Sequence, residues 1–299
     1  MKRYKRHRDY GFFDQDLRLN KLSQLGDPLE KFKAGIDFEQ FRAILEDNLS
    51  KQPKGKGGRP PYDYVLLFKI LILQRFYNLS DDQMEYQIND RMSFMRFLAL
   101  SIADDIPDSK TVWNFRERLV DLDLTESLFG LFLRSLEQLG LVVNEGKIVD
   151  ASFVEAPRQR NNKAENKQIK SGEVPESFKD NPHKLSQKDT DARWTKKNNT
   201  SYFGYKNHIK TDTKSKLITK YVVTDASVHD SQTTETLLDK EKDAGQDFHA
   251  DSAYTGQEQE KIIAAAGMAN KACEKGYKNR PLTDGKRPPT RKSQGCVPG

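Results

Sequence analysis

Two aspartates in this chain stand where an apolar, strand-like run gives way to small residues: Asp150 in KIVDASFVEAP at 147 to 157, and Asp251 in HADSAYTG at 249 to 256. An aspartate side chain is short, so a strand fixes its position closely. Adjacent strands would bring this pair within reach of shared divalent ions. Hard cations such as Mg²⁺ or Mn²⁺ take oxygen ligands, one or two carboxylates being completed by water and substrate phosphate. Two such ions about 3.5 to 4 Å apart activate an attacking hydroxyl and stabilise a leaving oxygen in phosphodiester cleavage. Either aspartate alone reads more readily as the cap of a strand-to-helix turn; the matched pair carries the metal reading.

A second constellation lies in DARWTKKNNTSYFGYKNH at 191 to 208, which mixes Arg193, Trp194, Lys196, Lys197, Tyr202, Tyr205 and Lys206. Cations interleaved with aromatics suit phosphate backbone and unstacked bases, although an ordinary strand with a charged rim presents the same residues. His208, His229 and His249 fall in different elements, and Cys273 and Cys296 are the only cysteines. That inventory opposes a zinc cage or a disulfide framework and points to a reducing compartment. The sequence carries no Walker-type loop, Rossmann fingerprint, GxSxG elbow or HExxH motif. Nucleotide hydrolases, dehydrogenases, serine hydrolases and zincins are thereby disfavoured.

The elements that must position these residues fall into two halves. From 62 to 140 the periodicity is helical. YDYVLLFKILILQRFYNL leads, and Ser80 with Gln83 forms a capping box before QMEYQINDRMSFMRFLAL. Asp108 or Ser109 caps a helix that buries Val112, Phe115 and Leu119, and its Lys110, Arg116 and Arg118 are the cations expected to meet DNA. Asp123 and Glu126 offer a further capping pair, and Gly140 stands where that helix would stop. Short helices with a basic, aromatic third member suit a DNA-reading bundle. The greasiest run, YVLLFKILIL, is far shorter than the roughly 20 residues a membrane span requires and is interrupted by Lys69. No signal peptide is expected.

From LVVNEGKIVDASFV onward β-branched residues take over. A polar stretch from 155 to 200 reads as a long exposed loop. SYFGYKNHIKTDT and KLITKYVVTDASV read as a hairpin, and His229 with Asp230 opens a helix. The strand DFHADSA, a helix from about Gln257 to Ala266 and the short ANKAC complete an order typical of a mixed sheet flanked by helices. The fold class expected is α/β, with an all-helical DNA-binding domain at 1 to 140 ahead of that sheet. Of 299 residues, Lys and Arg number 50 against 44 acids. The excess clusters in MKRYKRHRD, KQPKGKGGRPP and GKRPPTRKSQG, runs that favour polyanions through counterion release.

In order along the chain, GRPPYDYVLLFKILILQRFYNLSDDQMEYQINDRMSFMRFL, PDSKTVWNFRERL, IVDASFVEAPRQRNN, DARWTKKNNTSYFGYKNHIK, VTDASVHDSQ and HADSAYTG resemble the insertion sequence five family of bacterial DDE transposases. The resemblance implies a ribonuclease H-like catalytic domain at 141 to 284 that uses Mg²⁺ or Mn²⁺, with Asp150 and Asp251 as the first two catalytic carboxylates and metal ligands. It implies double-stranded DNA as partner, both element ends and target, with a homodimer on that DNA as an option and a bacterial cytoplasmic setting. The family's third carboxylate, a glutamate on a last helix, finds no match. The likeness stops at about Asp284, and the tail GKRPPTRKSQGCVPG at 285 to 299 has three prolines and no acid. A transposase impaired in cutting is therefore expected. The alternatives are a catalytically dead DNA-binding repressor and a ribonuclease H-like nuclease.

Overall fold

The computed structural model describes residues 11–50, 60–159, 161–197 and 199–273. The basic runs at the start and at 51 to 59, together with the tail, lie outside the described residues. The chain divides into two compact units, Met1–Leu139 and Gly140–Gly299.

The first unit is all helical: α1 (Asp14–Gln24), α2 (Pro28–Gly35), α3 (Arg42–Leu49), α4 (Tyr64–Tyr77), α5 (Asp81–Asp90), α6 (Met92–Leu98), α7 (Ser109–Asp121) and α8 (Thr125–Gln138). Local chemistry sets most of the boundaries. Asp63 caps α4 by accepting from the N–H groups of Val65 and Leu66, and Asn78 ends it in the left-handed region at φ 51°. Ser80 and Gln83 form the expected capping box of α5. Asp108 rather than Ser109 caps α7, accepting from Thr111 N–H, and Val112, Phe115 and Leu119 are buried as expected. The capping role expected of Asp123 is corrected. It adopts φ 51°, and the following N–H of Leu124 donates back to the Leu119 carbonyl at 2.9 Å. Asp123 thus closes α7 instead of opening α8, which starts without a side-chain cap. The core gathers Phe38, Phe41, Phe94 and Phe97 with leucines and isoleucines of α3, α4 and α5.

The second unit contains β1 (Gly146–Glu155), α9 (Lys163–Lys170), α10 (Glu176–Lys179), α11 (Pro182–Ser186), β2 (Arg193–Lys197), β3 (Thr200–Asp212), β4 (Ile218–Asp225), α12 (Thr234–Leu237), β5 (Asp247–Ala250), α13 (Gln257–Ala265) and β6 (Ala269–Asn270). The strands make one mixed sheet in the order β2, β3, β1, β5, β6, with β4 also paired to β3. β1 runs antiparallel to β3 and parallel to β5. The expected hairpin is present as the antiparallel pair β3 and β4. The helix expected from His229 is short: a 3-10 turn over Asp230–Thr233 and then α12.

The exposed loop expected from 155 to 200 is corrected as well. Three short helices and β2 occupy nearly half of it, with Ile169 and Phe178 buried. Their organiser is one carboxylate. Glu165 completes a capping box with Asn162, accepts from Ser177 Oγ at 2.9 Å and from Lys184 Nζ at 2.7 Å, and is held at a pKa of about 2 chiefly by Lys184. Because polar capping rather than apolar periodicity holds these helices, hydropathy gives no sign of them.

Candidate active site

Parallel pairing of β1 with β5 sets Val149 opposite Ala250. Asp150, within β1, and Asp251, the first residue after β5, each follow that last pair of the ladder. Val149 and Ala250 are buried in the core of the second unit. Strand alternation therefore places both aspartates on the opposite face, where both are exposed. Asp150 lies in the middle of β1 rather than near its end as expected. Its position is terminal only with respect to β5, the shorter partner.

Each aspartate has one oxygen anchored by backbone. Asp150 Oδ1 accepts from Ala151 N–H at 2.8 Å, and Asp251 Oδ1 accepts from Ala253 N–H at 2.8 Å, capping the 3-10 turn Ser252–Tyr254. The other oxygen of each makes no hydrogen bond among the described residues. Two exposed carboxylates with a free oxygen each are hard donors and fit a hard divalent cation that keeps water or phosphate in its remaining positions. Among the described residues no group of three His, Cys, Asp or Glu side chains is placed to hold a metal ion.

The cations expected at the DNA surface divide. Lys110 on α7 and Lys196 and Lys197 on β2 are exposed, the last with its ammonium 5.7 Å from the Phe153 ring centroid. The other four are turned inward. Arg116 makes a paired contact with Asp81 at 3.0 and 2.8 Å, and Arg118 donates to the Leu49 carbonyl at 2.6 Å. Arg193 donates to the Ile169 carbonyl at 3.0 Å, and Lys206 binds Asp230 at 2.9 Å and the Val228 carbonyl at 2.6 Å. Each of these four cations therefore has a partner in the fold, which it would share or leave to contact phosphate.

Arg116→Ala is accordingly expected to lower the stability of the first unit by about 1.5–3 kcal/mol, the range for hydrogen bonds to charged groups. The hydrogen bond from Arg116 holds the Asp81 carboxyl below its usual range. The contribution is thus complete above the ordinary carboxylate pKa and is lost as pH falls through the lowered one. Urea unfolding at neutral and acid pH checks this. An unchanged midpoint together with lost DNA affinity would return Arg116 to the DNA surface.

The sequence singles out Lys206, His208 and Asp230 without showing that they gather behind the aspartate pair, and passes over Tyr254. On the covered face of the sheet lie Lys206 with its partner Asp230, His208 bonded through Nε2 to Thr224 Oγ1 at 2.9 Å, and the buried Tyr254. Their signal was available in the register: Lys206, His208 and Lys210 occupy alternate positions of β3, opposite Phe153, Ala151 and Val149.

A helical unit followed by a mixed sheet flanked by helices, with aspartates at matched positions of two central strands, is the arrangement of a ribonuclease H-like DDE domain. Residues 143–295 match the family described as Transposase DDE domain, and residues 17–118 match the Transposase domain (DUF772) family. The first match covers more than half of the chain, and the chain belongs to the DDE transposases. That match runs beyond Asp284, where the likeness read from the sequence stops. No solved structure matches the chain. Among the described residues no helix is long and apolar enough to cross a membrane.

Proposed function

We propose that this chain is a transposase that binds the ends of an insertion sequence, cuts the DNA there and joins those ends to a target, and that as written it is severely impaired in cutting and joining. The observation that carries the reading is the register of Val149 opposite Ala250 on the parallel strands β1 and β5, since Asp150 and Asp251 are the residues that follow them. Their free oxygens would hold Mg²⁺ or Mn²⁺. Such a cation supplies a more acidic attacking hydroxyl or water and neutralises charge on the leaving oxygen. The two backbone hydrogen bonds keep the carboxylates from rotating away, so the pair is oriented before DNA arrives. Lys110, Lys196 and Lys197 are free to meet phosphates and would make binding fall steeply with salt.

The impairment rests on the sequence after Asp284, which has no acid to serve as third carboxylate and prolines at 288, 289 and 298 that oppose a helix. The test is cleavage of DNA carrying the element's own ends, with Mg²⁺ or Mn²⁺, by this chain and by a version with its tail restored in an alternative reading frame. The restored version is expected to be faster by roughly 100-fold or more, the loss typical when one stabiliser of developing charge is removed. Equal rates would show that a third carboxylate is already present. Binding without cleavage by both versions would favour the DNA-binding repressor, and cleavage without joining would favour the nuclease.

A further inference from the structure

β2 pairs antiparallel with the start of β3, and that register sets Trp194 opposite Phe203 and Lys196 opposite Ser201. Opposed residues share a face, and so do alternate residues of one strand, so these four stand together. None is acidic. Phe203 is 7 % exposed, and its ring lies 5.2 Å from the indole at a tilt of 42°. The indole nevertheless stays 49 % exposed. Arg158, itself exposed, brings its guanidinium to 5.9 Å from the indole centroid. The face thus combines one half-open aromatic ring with two exposed cations, Arg158 and Lys196.

Covering Phe203 requires only an apolar side chain, and leucine would supply one. What the indole adds is a flat π surface open to solvent. Every nucleobase can stack on such a ring, whereas a base paired inside a duplex has no free face to offer. Arg158 does not close the site. An exposed cation–π contact strengthens an association by a factor of about 2 to 5, and stacking of one base by a factor of about 5 to 150. A base therefore displaces the guanidinium, which with Lys196 is left facing the sugar-phosphate strand. The place on the sheet suits that chemistry. β1 runs from Asp150 to Glu155, Glu155 is opposite Gly204, and Gly204 is opposite Arg193, the neighbour of Trp194. The indole thus lies beyond the aspartate pair by about 16 Å of strand, where a DNA strand cut at that pair offers unpaired bases.

We infer that the face formed by Trp194, Arg158 and Lys196 is a stacking site for an unpaired nucleotide of single-stranded DNA. This rests on the proposed reading of the chain as one that opens DNA ends, and it adds a contact with a base to the phosphate contacts of the exposed lysines. Stacking tolerates any base, so the site holds a strand end without reading its sequence.

Trp113 and Trp194 are the only tryptophans, so the full-length Trp113→Phe chain reports on Trp194 alone. Its fluorescence is followed as oligothymidylate of about 12 nucleotides, a length within the usual site size, is added, with a duplex carrying the element's own ends for comparison. Saturable quenching by the oligomer and not by the duplex is the result expected. In the otherwise unchanged chain, Trp194→Leu is expected to bind the oligomer at least about 5-fold more weakly, with duplex affinity and thermal midpoint preserved. Trp194→Phe, which keeps a ring, is expected to retain most of the affinity. Unquenched fluorescence at saturation, or wild-type affinity of Trp194→Leu for the oligomer, would overturn the inference. So would an equal loss on oligomer and duplex, a loss matched by a fall in the midpoint, or quenching by oligouridylate alone. A wild-type chain that binds neither the oligomer nor the duplex would overturn the DNA reading and the inference with it.

Discussion

Asparagine at either Asp150 or Asp251 abolishes Mn²⁺ binding and any metal-dependent cleavage while leaving DNA binding and the fold intact: that is the expected outcome of the two single substitutions. The fold survives because neither carboxylate is buried and each has a backbone hydrogen bond that an amide oxygen can also accept. At position 251 asparagine is as good a helix-turn cap as aspartate. What disappears is one of the two charges proposed to face the cation. Losing either carboxylate leaves, among the described residues, one oxygen donor residue of the pair, too few to compete with water for a hard cation. Calorimetry for the metal, gel shift for DNA and thermal unfolding for the fold separate the three properties. Parallel loss of stability would mean that these residues serve only as caps.

The second large effect concerns stability. Lys210→Ala is expected to cost the second unit about 3–5 kcal/mol, the usual consequence of removing one partner of a buried ion pair. Lys210 Nζ lies 2.6 Å from Asp243 Oδ2, with side chains 4 % and 1 % exposed. Asp243 also accepts from Asp239 N–H at 2.8 Å, so the carboxylate is built into its turn and has no route to water. Without the lysine it remains as an uncompensated buried charge. The strand matters as much as the charge, because Lys210 is the β3 residue opposite Val149, the residue before Asp150. Urea unfolding should show a lower midpoint at an unchanged slope. Replacing both partners by apolar residues of similar volume should recover most of the loss, and a single-variant loss below about 1 kcal/mol, as for an exposed pair, would show that the pair is solvated.

Much of this architecture is legible in the sequence because local rules set it. The capping box at Ser80 and the apolar spacing of Val112, Phe115 and Leu119 declare their helices, and a Lys-Ser turn between two β-branched runs declares β3 and β4. The aspartate pair is legible for a similar reason: each follows a short apolar run and precedes small residues. Side-chain direction is another matter. Arg116 and Arg118 lie on a helix whose exposed stripe is set by Lys110, Trp113, Asn114 and Glu117, so both arginines turn toward protein acceptors. Their charge alone gave no indication of that. Lys206 reads as a cation beside aromatics, yet strand alternation sends it to the covered face, where Asp230 meets it. Asp123 reads as a cap because its type suits one, and only the left-handed backbone at the end of α7 reveals its other use. The helices between Lys163 and Ser186 escape because their anchor is Glu165, a polar residue in a polar stretch.

The central claim is that Asp150 and Asp251 share a divalent cation. Anomalous scattering from crystals of the chain soaked in Mn²⁺ tests it most directly. A peak between the two carboxylates, within bonding distance of an oxygen of each, is the result expected. Manganese bound only elsewhere, or the two side chains found on opposite faces of the sheet, would contradict the account.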